Sequence, residues 1–137
     1  MSHEQVDAVR RNLDAWHSGD INTWLATAHP EAEWVSEIAR RVEGSDLVYR
    51  GHDGLRRYWD DWHSVWDVTV QLDEVRDFGE TVVAIGRVRA LGEGSGIDLD
   101  GPIALSYEFE DGLVRRARAY LDPQQALDAV GHSKRVP

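Results

Sequence analysis

The stretch TVVAIGRVRALGEGSGIDLDGPIALSYEFEDGLVRRARAYL, residues 81–121, decides the fold. Thr81 to Leu91 is a nearly continuous extended run, and Gly92 to Gly96 is a glycine-rich connection. Ile97 to Phe109 then alternates, with Ile97, Leu99, Ile103, Leu105, Tyr107 and Phe109 sharing one face, the period of two that a strand requires. Glu110-Asp111-Gly112 carries the Asp-Gly signature of a tight hairpin, and Leu113 to Leu121 forms the last strand. Connections this short force neighbouring strands to run antiparallel. On the last strand Ala117, Ala119 and Leu121 face inward, so Arg116, Arg118 and Tyr120 point to the other side of the sheet.

Working outward, Val68 to Asp77 supplies a further strand. Its apolar members Val68, Val70 and Leu72 are followed by Val75, one residue out of phase. A slip of one marks a bulge, which a strongly curved sheet needs. Upstream, Glu4 to His17 places Val6, Val9, Leu13 and Trp16 on one helical face. Ser18-Gly19-Asp20 stops that helix, with Gly19 suited to the left-handed position and Asp20 to capping the next one. Ile21 to Ala28 reads as a short second helix facing inward through Ile21, Trp24, Leu25 and Ala28, ended by His29-Pro30. Ala32 to Ser36 and Leu47 to Arg50 are short strands, with a polar loop from Glu37 to Asp46 between them. Gly51 to Gly54 is a turn from which Asp53 caps a helix with Leu55, Tyr58, Trp59, Trp62 and Trp66 on its inner face. Asp122-Pro123 opens a final helix that stops at Gly131, leaving 132–137 as a frayed tail. Helices gathered on one face of an antiparallel meander define an α+β fold. The expectation is a single domain over 1–137: a curved, mostly antiparallel sheet with N-terminal helices enclosing a pocket.

Composition narrows the function classes. Six tryptophans and 42% hydrophobic residues in 137 suit one domain with a sizeable core. The absence of cysteine excludes disulfides, thiolate catalysis and thiolate metal sites, and fits a cytoplasmic protein. The N-terminal residues lack the basic and apolar regions of a signal peptide, and no apolar run is long enough to span a membrane. A net charge of −10 opposes binding to nucleic acid. The six histidines lack metal-ligand spacing, and the Gly92–Gly96 stretch is no phosphate loop, so neither a metal nor a cofactor is expected. Lys134 is the only lysine against fourteen arginines, a bias that fits a GC-rich, bacterial genome.

Three sets of local features carry a family resemblance: Trp16-His17-Ser18-Gly19-Asp20, Tyr49-Arg50-Gly51-His52-Asp53-Gly54-Leu55, and the closing Glu110-Asp111-Gly112-Leu113-Val114 followed by Tyr120-Leu121-Asp122 and Ala126-Leu127. Over nearly the whole chain the order of elements resembles the SnoaL-like proteins of the nuclear-transport-factor-two-like, or cystatin-like cone, superfamily. The resemblance implies a cone-shaped sheet around a pocket and a homodimer through the outer sheet face. It leaves activity open, because this fold hosts isomerases, cyclases, hydrolases and non-catalytic modules.

The resemblance also tests chemistry position by position. Ketosteroid isomerases of this fold use an Asp base with Tyr and protonated Asp donors. Here Asn12 stands at the Tyr position, Ser36 at the base position with Glu37 adjacent, and Leu105 at the second Asp, so that oxyanion hole is missing. Limonene-epoxide-hydrolase-like members use an Asp-Arg-Asp set. Arg87-Val88-Arg89 matches its Arg, but another Arg replaces the acid and Ala119 replaces the second Asp.

The candidate ligand-binding residues are therefore Asn12, Trp16, Trp34, Ser36, Tyr58, Trp59, Trp62, Leu105, Tyr107 and Ala119. The aromatic members either line a flat pocket for an apolar, ring-containing small molecule or simply fill the core. Glu37 is the candidate acid or base, since desolvation by nearby indoles would raise its pKa; the alternative is a solvated loop charge. Arg87 could clamp a carboxylate or enolate; alternatively Arg87 and Arg89 pair with Asp98 and Asp100 across the hairpin. The resulting expectation is a pocket protein, with cyclase-, isomerase- or hydrolase-type acid–base chemistry, or a non-catalytic ligand-binding or dimerisation module.

Overall fold

The computed structural model describes residues 2–36, 47–92 and 98–134. Helix α1 (Ser2–Ser18) is followed by α2 (Ile21–Ala26), β1 (Ala28–Ser36), β2 (Leu47–Arg50), α3 (Gly51–Val65), β3 (Trp66–Asp77), β4 (Thr81–Gly92), β5 (Asp98–Glu110), β6 (Leu113–Tyr120) and α4 (Pro123–Lys134). The six strands form one sheet in the order β2-β1-β6-β5-β4-β3. Every neighbouring pair is antiparallel except β1 with β6. The expected α+β class and antiparallel meander are therefore what the chain adopts.

Turn chemistry fixes the joints. Gly19 takes φ +78, and Asp20 caps α2 by accepting from the Thr23 N–H at 3.1 Å. Asp111 and Gly112 have φ +55 and +78, the paired positive values of a tight primed hairpin turn. The bulge foreseen in β3 is present: pairing with β4 slips between Leu72 and Glu74, so Val75 rejoins the inner face opposite Ala84.

Five boundaries differ from expectation. The second helix stops at Ala26, and β1 begins at Ala28 rather than Ala32. Thr27 N–H bonds back to the Trp24 carbonyl while its own carbonyl accepts from Val114 N–H, which turns the chain into the sheet two residues before His29-Pro30. Pro30 cannot donate to a ladder, and the β1–β6 register is irregular between Ala28 and Glu33. Helix α3 starts at Gly51, whose φ of +69 makes the corner, so Asp53 lies inside its first turn. Trp66 opens β3 opposite Gly92 and is not on the helix. The last helix runs through Gly131 to Lys134.

The core lies in two parts. The larger fills the space between the sheet and α1, α2 and α3, and contains the buried Trp16, Trp24, Trp34, Tyr58, Trp59 and Trp62. The smaller lies on the opposite face, where α4 seats Ala126 against Val83, Ala104 and Tyr120. Tyr120, expected on the outer side of the sheet, lies there and is covered by the chain's own last helix. That face also carries a set of ion pairs: Arg87–Asp100, Arg89–Asp98, and Arg116 with Glu33 and Glu108.

Candidate functional site: an aromatic cavity

A cavity lies between the helices and the inner face of the sheet. Asn12, Leu13 and Trp16 of α1, Trp24 of α2, Trp34 of β1 and Tyr58 of α3 meet Val68, Val70, Val88, Ile103, Leu105, Tyr107 and Ala119 from β3 to β6 there. Strand alternation explains the sheet side: Val88 pairs near Gly101, Leu105 with Ala119, and Tyr107 with Ala117, each pair on the same face. The space open to the centre of a water molecule is about 40 Å³, room for a small group and not for a whole ring.

Aromatic rings make most of the helix-side wall. Trp24 packs at 5.2 Å from Trp34 and 5.2 Å from Trp59, and lies stacked 6.3 Å from Tyr58. Trp16 contacts Trp24 at 5.6 Å, Tyr58 at 5.5 Å and Trp59 edge-on at 5.2 Å. Such pairs contribute about 0.5–1.5 kcal/mol each beyond area burial, so the wall is a mutually supported array. His63 extends it outward, stacked on Trp59 at 4.1 Å with its Nδ1 3.0 Å from the Trp59 carbonyl and Nε2 3.1 Å from the Trp16 carbonyl. His17 ties the end of α1 to the edge strand β3, its Nε2 accepting the Val70 N–H at 3.0 Å.

The polar atoms divide into two kinds. Asn12 is spent internally: its Nδ2 donates to Thr27 Oγ1 at 2.9 Å, and that hydroxyl donates to the Trp24 carbonyl at 2.7 Å. Other polar atoms have no partner. Of the five buried side-chain polar atoms without a hydrogen-bond partner among the described residues, three belong to cavity-lining side chains: Trp24 Nε1, Trp34 Nε1 and the Tyr107 hydroxyl. Burial, with a smaller contribution from Tyr58, pushes the Tyr107 hydroxyl far above the usual tyrosine value of 10.0, so it keeps its proton. Among the described residues the lining holds no carboxylate, imidazole or cationic side chain. No group of three or more metal-ligating side chains occurs among them either.

Of the residues singled out from sequence, Asn12, Trp16, Trp34, Tyr58, Leu105, Tyr107 and Ala119 come together around the cavity. Trp59 and Trp62 are buried behind that wall, Trp59 against Trp16 and Trp24 and Trp62 6.2 Å from Tyr58. The Ser36 backbone pairs with Leu47 and Ala119; its side chain, like all of Glu37, lies outside the described residues. Arg87 does not reach the cavity. Its neighbour Val88 lines the space, so Arg87 points to the opposite face, exposed and 3.1 Å from Asp100. Trp24, Leu13, Val68, Val70, Val88 and Ile103 complete the lining. Apolar periodicity already puts Leu13, Trp24, Val68, Val70 and Ile103 on inner faces, and nothing in the periodicity says which inner residues border a void.

The chain is an α+β fold with an aromatic, largely apolar cavity between its helices and its sheet. Within it, residues 9–117 match the SnoaL-like domain, and the chain belongs to that family. Solved structures agree on the fold. A protein of unknown function from Burkholderia pseudomallei, described as NTF2-like, superposes with a TM-score of 0.77 at 20% identity, covering 93% of this chain and 97% of that one. TerC, co-crystallised with polyporic acid, gives 0.76 at 19% identity over 93% and 98%. A protein from Jannaschia sp. CCS1 named as a SnoaL-like polyketide cyclase gives 0.71 at 20% identity over 99% and 95%. No curated protein matches the sequence significantly. No described helix is long and apolar enough to cross a membrane.

Proposed function

We propose that this chain is a cytoplasmic small-molecule pocket protein that binds an apolar, ring-containing ligand between its helices and its sheet. The observation that carries the reading is the wall itself: Trp16, Trp24 and Tyr58 of the helices face an apolar sheet surface that includes Trp34 of β1 across a cavity. Flat rings suit such walls, and pockets of this kind combine apolar lining with a few polar groups. Acid–base chemistry of the cyclase, isomerase or hydrolase type would fall to Glu37, the next residue in sequence after β1; the described lining carries no ionisable carboxylate or imidazole. A homodimer through the outer sheet face goes with this reading.

Because the open space is about 40 Å³, a ring can enter only as the helix-side aromatics move apart. That same number favours a second reading, a non-catalytic module whose pocket is filled by its own tryptophans. Native mass spectrometry of protein purified without added ligand, with tryptophan-fluorescence titration against polyporic acid, separates the two. A co-purifying small molecule or saturable quenching supports the pocket reading. Neither effect up to millimolar ligand refutes it. Unchanged turnover in Glu37→Gln, once a substrate is known, would remove the catalytic part alone. Light scattering reads the subunit number.

A further inference from the structure

Twelve of the thirteen residues that line the aromatic cavity are buried, and the exception, Val68, is half-buried. Val68 belongs to β3, an edge strand of the sheet, so the wall there is one side chain thick. Beside it lies α1, which packs against β3 and brings Leu13 and Trp16 to the lining. A hydrogen bond spans this seam. His17, next to Trp16, accepts the Val70 N–H on Nε2 at 3.0 Å, and Val70 itself lines the cavity. That N–H lies on the open edge of the sheet, so the imidazole stands in for a missing strand. The other flank of α1 is held differently. There the Trp16 ring packs on Tyr58, Trp59 and His63, and His63 Nε2 lies 3.1 Å from the Trp16 carbonyl. Moving that flank breaks an array of rings, whereas the β3 flank parts at a hydrogen bond made by an exposed side chain and the apolar contacts beside it. Just beyond, the chain turns at Gly19 with φ +78, and a Cβ there would meet nothing within 4 Å, so no packed neighbour clamps the turn.

We infer that the seam between the end of α1 and β3 is the entrance to the cavity and that His17 is its latch, closed through the hydrogen bond to Val70. This rests on the pocket reading above and specifies how the ligand enters and leaves. The latch is closed in the free and in the filled protein, and open only while a ring passes. Its loss therefore weakens both end states alike and lowers the barrier between them. Entry and exit then speed up together while affinity stays. A residue that merely supported the fold would change affinity or stability instead.

Stopped-flow tryptophan fluorescence with polyporic acid reads both rate constants on wild type, His17→Leu and His17→Gln. Amide hydrogen exchange at Val70 reads the latch without any ligand. Leu has no acceptor, while the Gln side-chain oxygen restores one. His17 is exposed, so neither change disturbs the core, and circular dichroism checks the folding of both variants. In His17→Leu the on- and off-rate constants should each rise about fivefold, the factor that loss of a single hydrogen bond allows, with Kd held within about twofold. Val70 should exchange faster in the same variant, and His17→Gln should return both readouts towards wild type. Unchanged rate constants in His17→Leu, or an off-rate that rises alone, overturn the latch and leave the pocket reading standing. Unaltered exchange at Val70 overturns the hydrogen bond on which the latch depends. A Gln variant as fast as the Leu variant overturns the assignment to the acceptor. No saturable quenching of wild type at millimolar polyporic acid overturns the inference together with the reading beneath it.

Discussion

The ring of Trp34 meets the ring of Tyr107 edge to face, 6.1 Å between centroids, and both side chains keep a buried polar atom without a partner among the described residues. Such an arrangement costs stability in the ligand-free protein. A buried hydroxyl without a hydrogen bond costs about 1–3 kcal/mol. Tyr107→Phe removes the hydroxyl and keeps the ring contacts. The ligand-free variant is therefore expected to be more stable than wild type by about 1 kcal/mol, read from urea unfolding. A variant less stable than wild type would mean that the hydroxyl is already satisfied.

The same residue predicts an alkaline effect. Burial, then Tyr58, raises the folded value of Tyr107 above its ordinary 10.0. In the unfolded chain this phenol loses its proton above pH 10, while the folded chain retains it. The folded state then holds more protons, so stability falls as pH rises. The contribution is fully present below pH 10 and is lost above it. Relative to Tyr107→Phe, wild type should lose about 1.4 kcal/mol per pH unit once well above pH 10. Urea melts of both proteins at pH 8, 10 and 11 measure it, and the other tyrosines cancel in the comparison. Parallel pH curves would show that Tyr107 ionises in the folded protein.

Asn12 of the cavity wall is hydrogen-bonded to buried Thr27, a link that joins α1 to the turn between α2 and β1. Both side chains are buried. Asn12→Ala leaves the Thr27 hydroxyl without its donor and opens a small void, at a cost of about 2 kcal/mol. Thr27→Val strands the Asn12 amide by the same logic. Because each single change already breaks the bond, the double variant should cost about 1 kcal/mol less than the two added together. Strict additivity in a double-mutant cycle would show that the pair contributes nothing.

Much of this could be read from the chain, and the limits have physical causes. Period-two alternation from Ile97 to Phe109 fixed the inner face that carries Leu105 and Tyr107, and the out-of-phase Val75 announced the β3 bulge. The His29-Pro30 pair was legible as a helix stop but not as part of β1, because a parallel pairing with β6 some 85 residues away in sequence is a tertiary choice. Trp59, Trp62 and Trp24 all lie on inner helical faces, yet only Trp24 reaches the cavity. Periodicity separates inside from outside; it does not say where packing stops short. Arg87 was legible both ways, and its ion pair with Asp100, one same-face step along β5 from its register partner Pro102, decided it.

Gly86 shows the tightest backbone approach in the sheet and yields the largest expected loss. It sits in β4 opposite Leu72, at the last register position before the β3 bulge. A Cβ there would fall on the Gln71 carbonyl oxygen, 2.9 Å from the Gln71 carbonyl carbon and 3.0 Å from the Leu72 Cα. These atoms are backbone, so no side chain can swing aside; either the β3–β4 ladder parts or the bulge flattens. Since the bulge returns Val75 to the core and curves the sheet around the cavity, both routes disturb the site as well as the fold. Gly86→Ala is expected to cost about 3 kcal/mol and to lower Tm by roughly 10 °C. Gly101→Ala is the control: it lies on the neighbouring strand, opposite Val88, and a Cβ there meets nothing within 4 Å. Its effect should stay within about 0.5 kcal/mol. Differential scanning calorimetry of the two variants beside wild type makes the comparison, and equal losses would mean that glycine is needed in these strands for reasons other than the approach of β3 to β4.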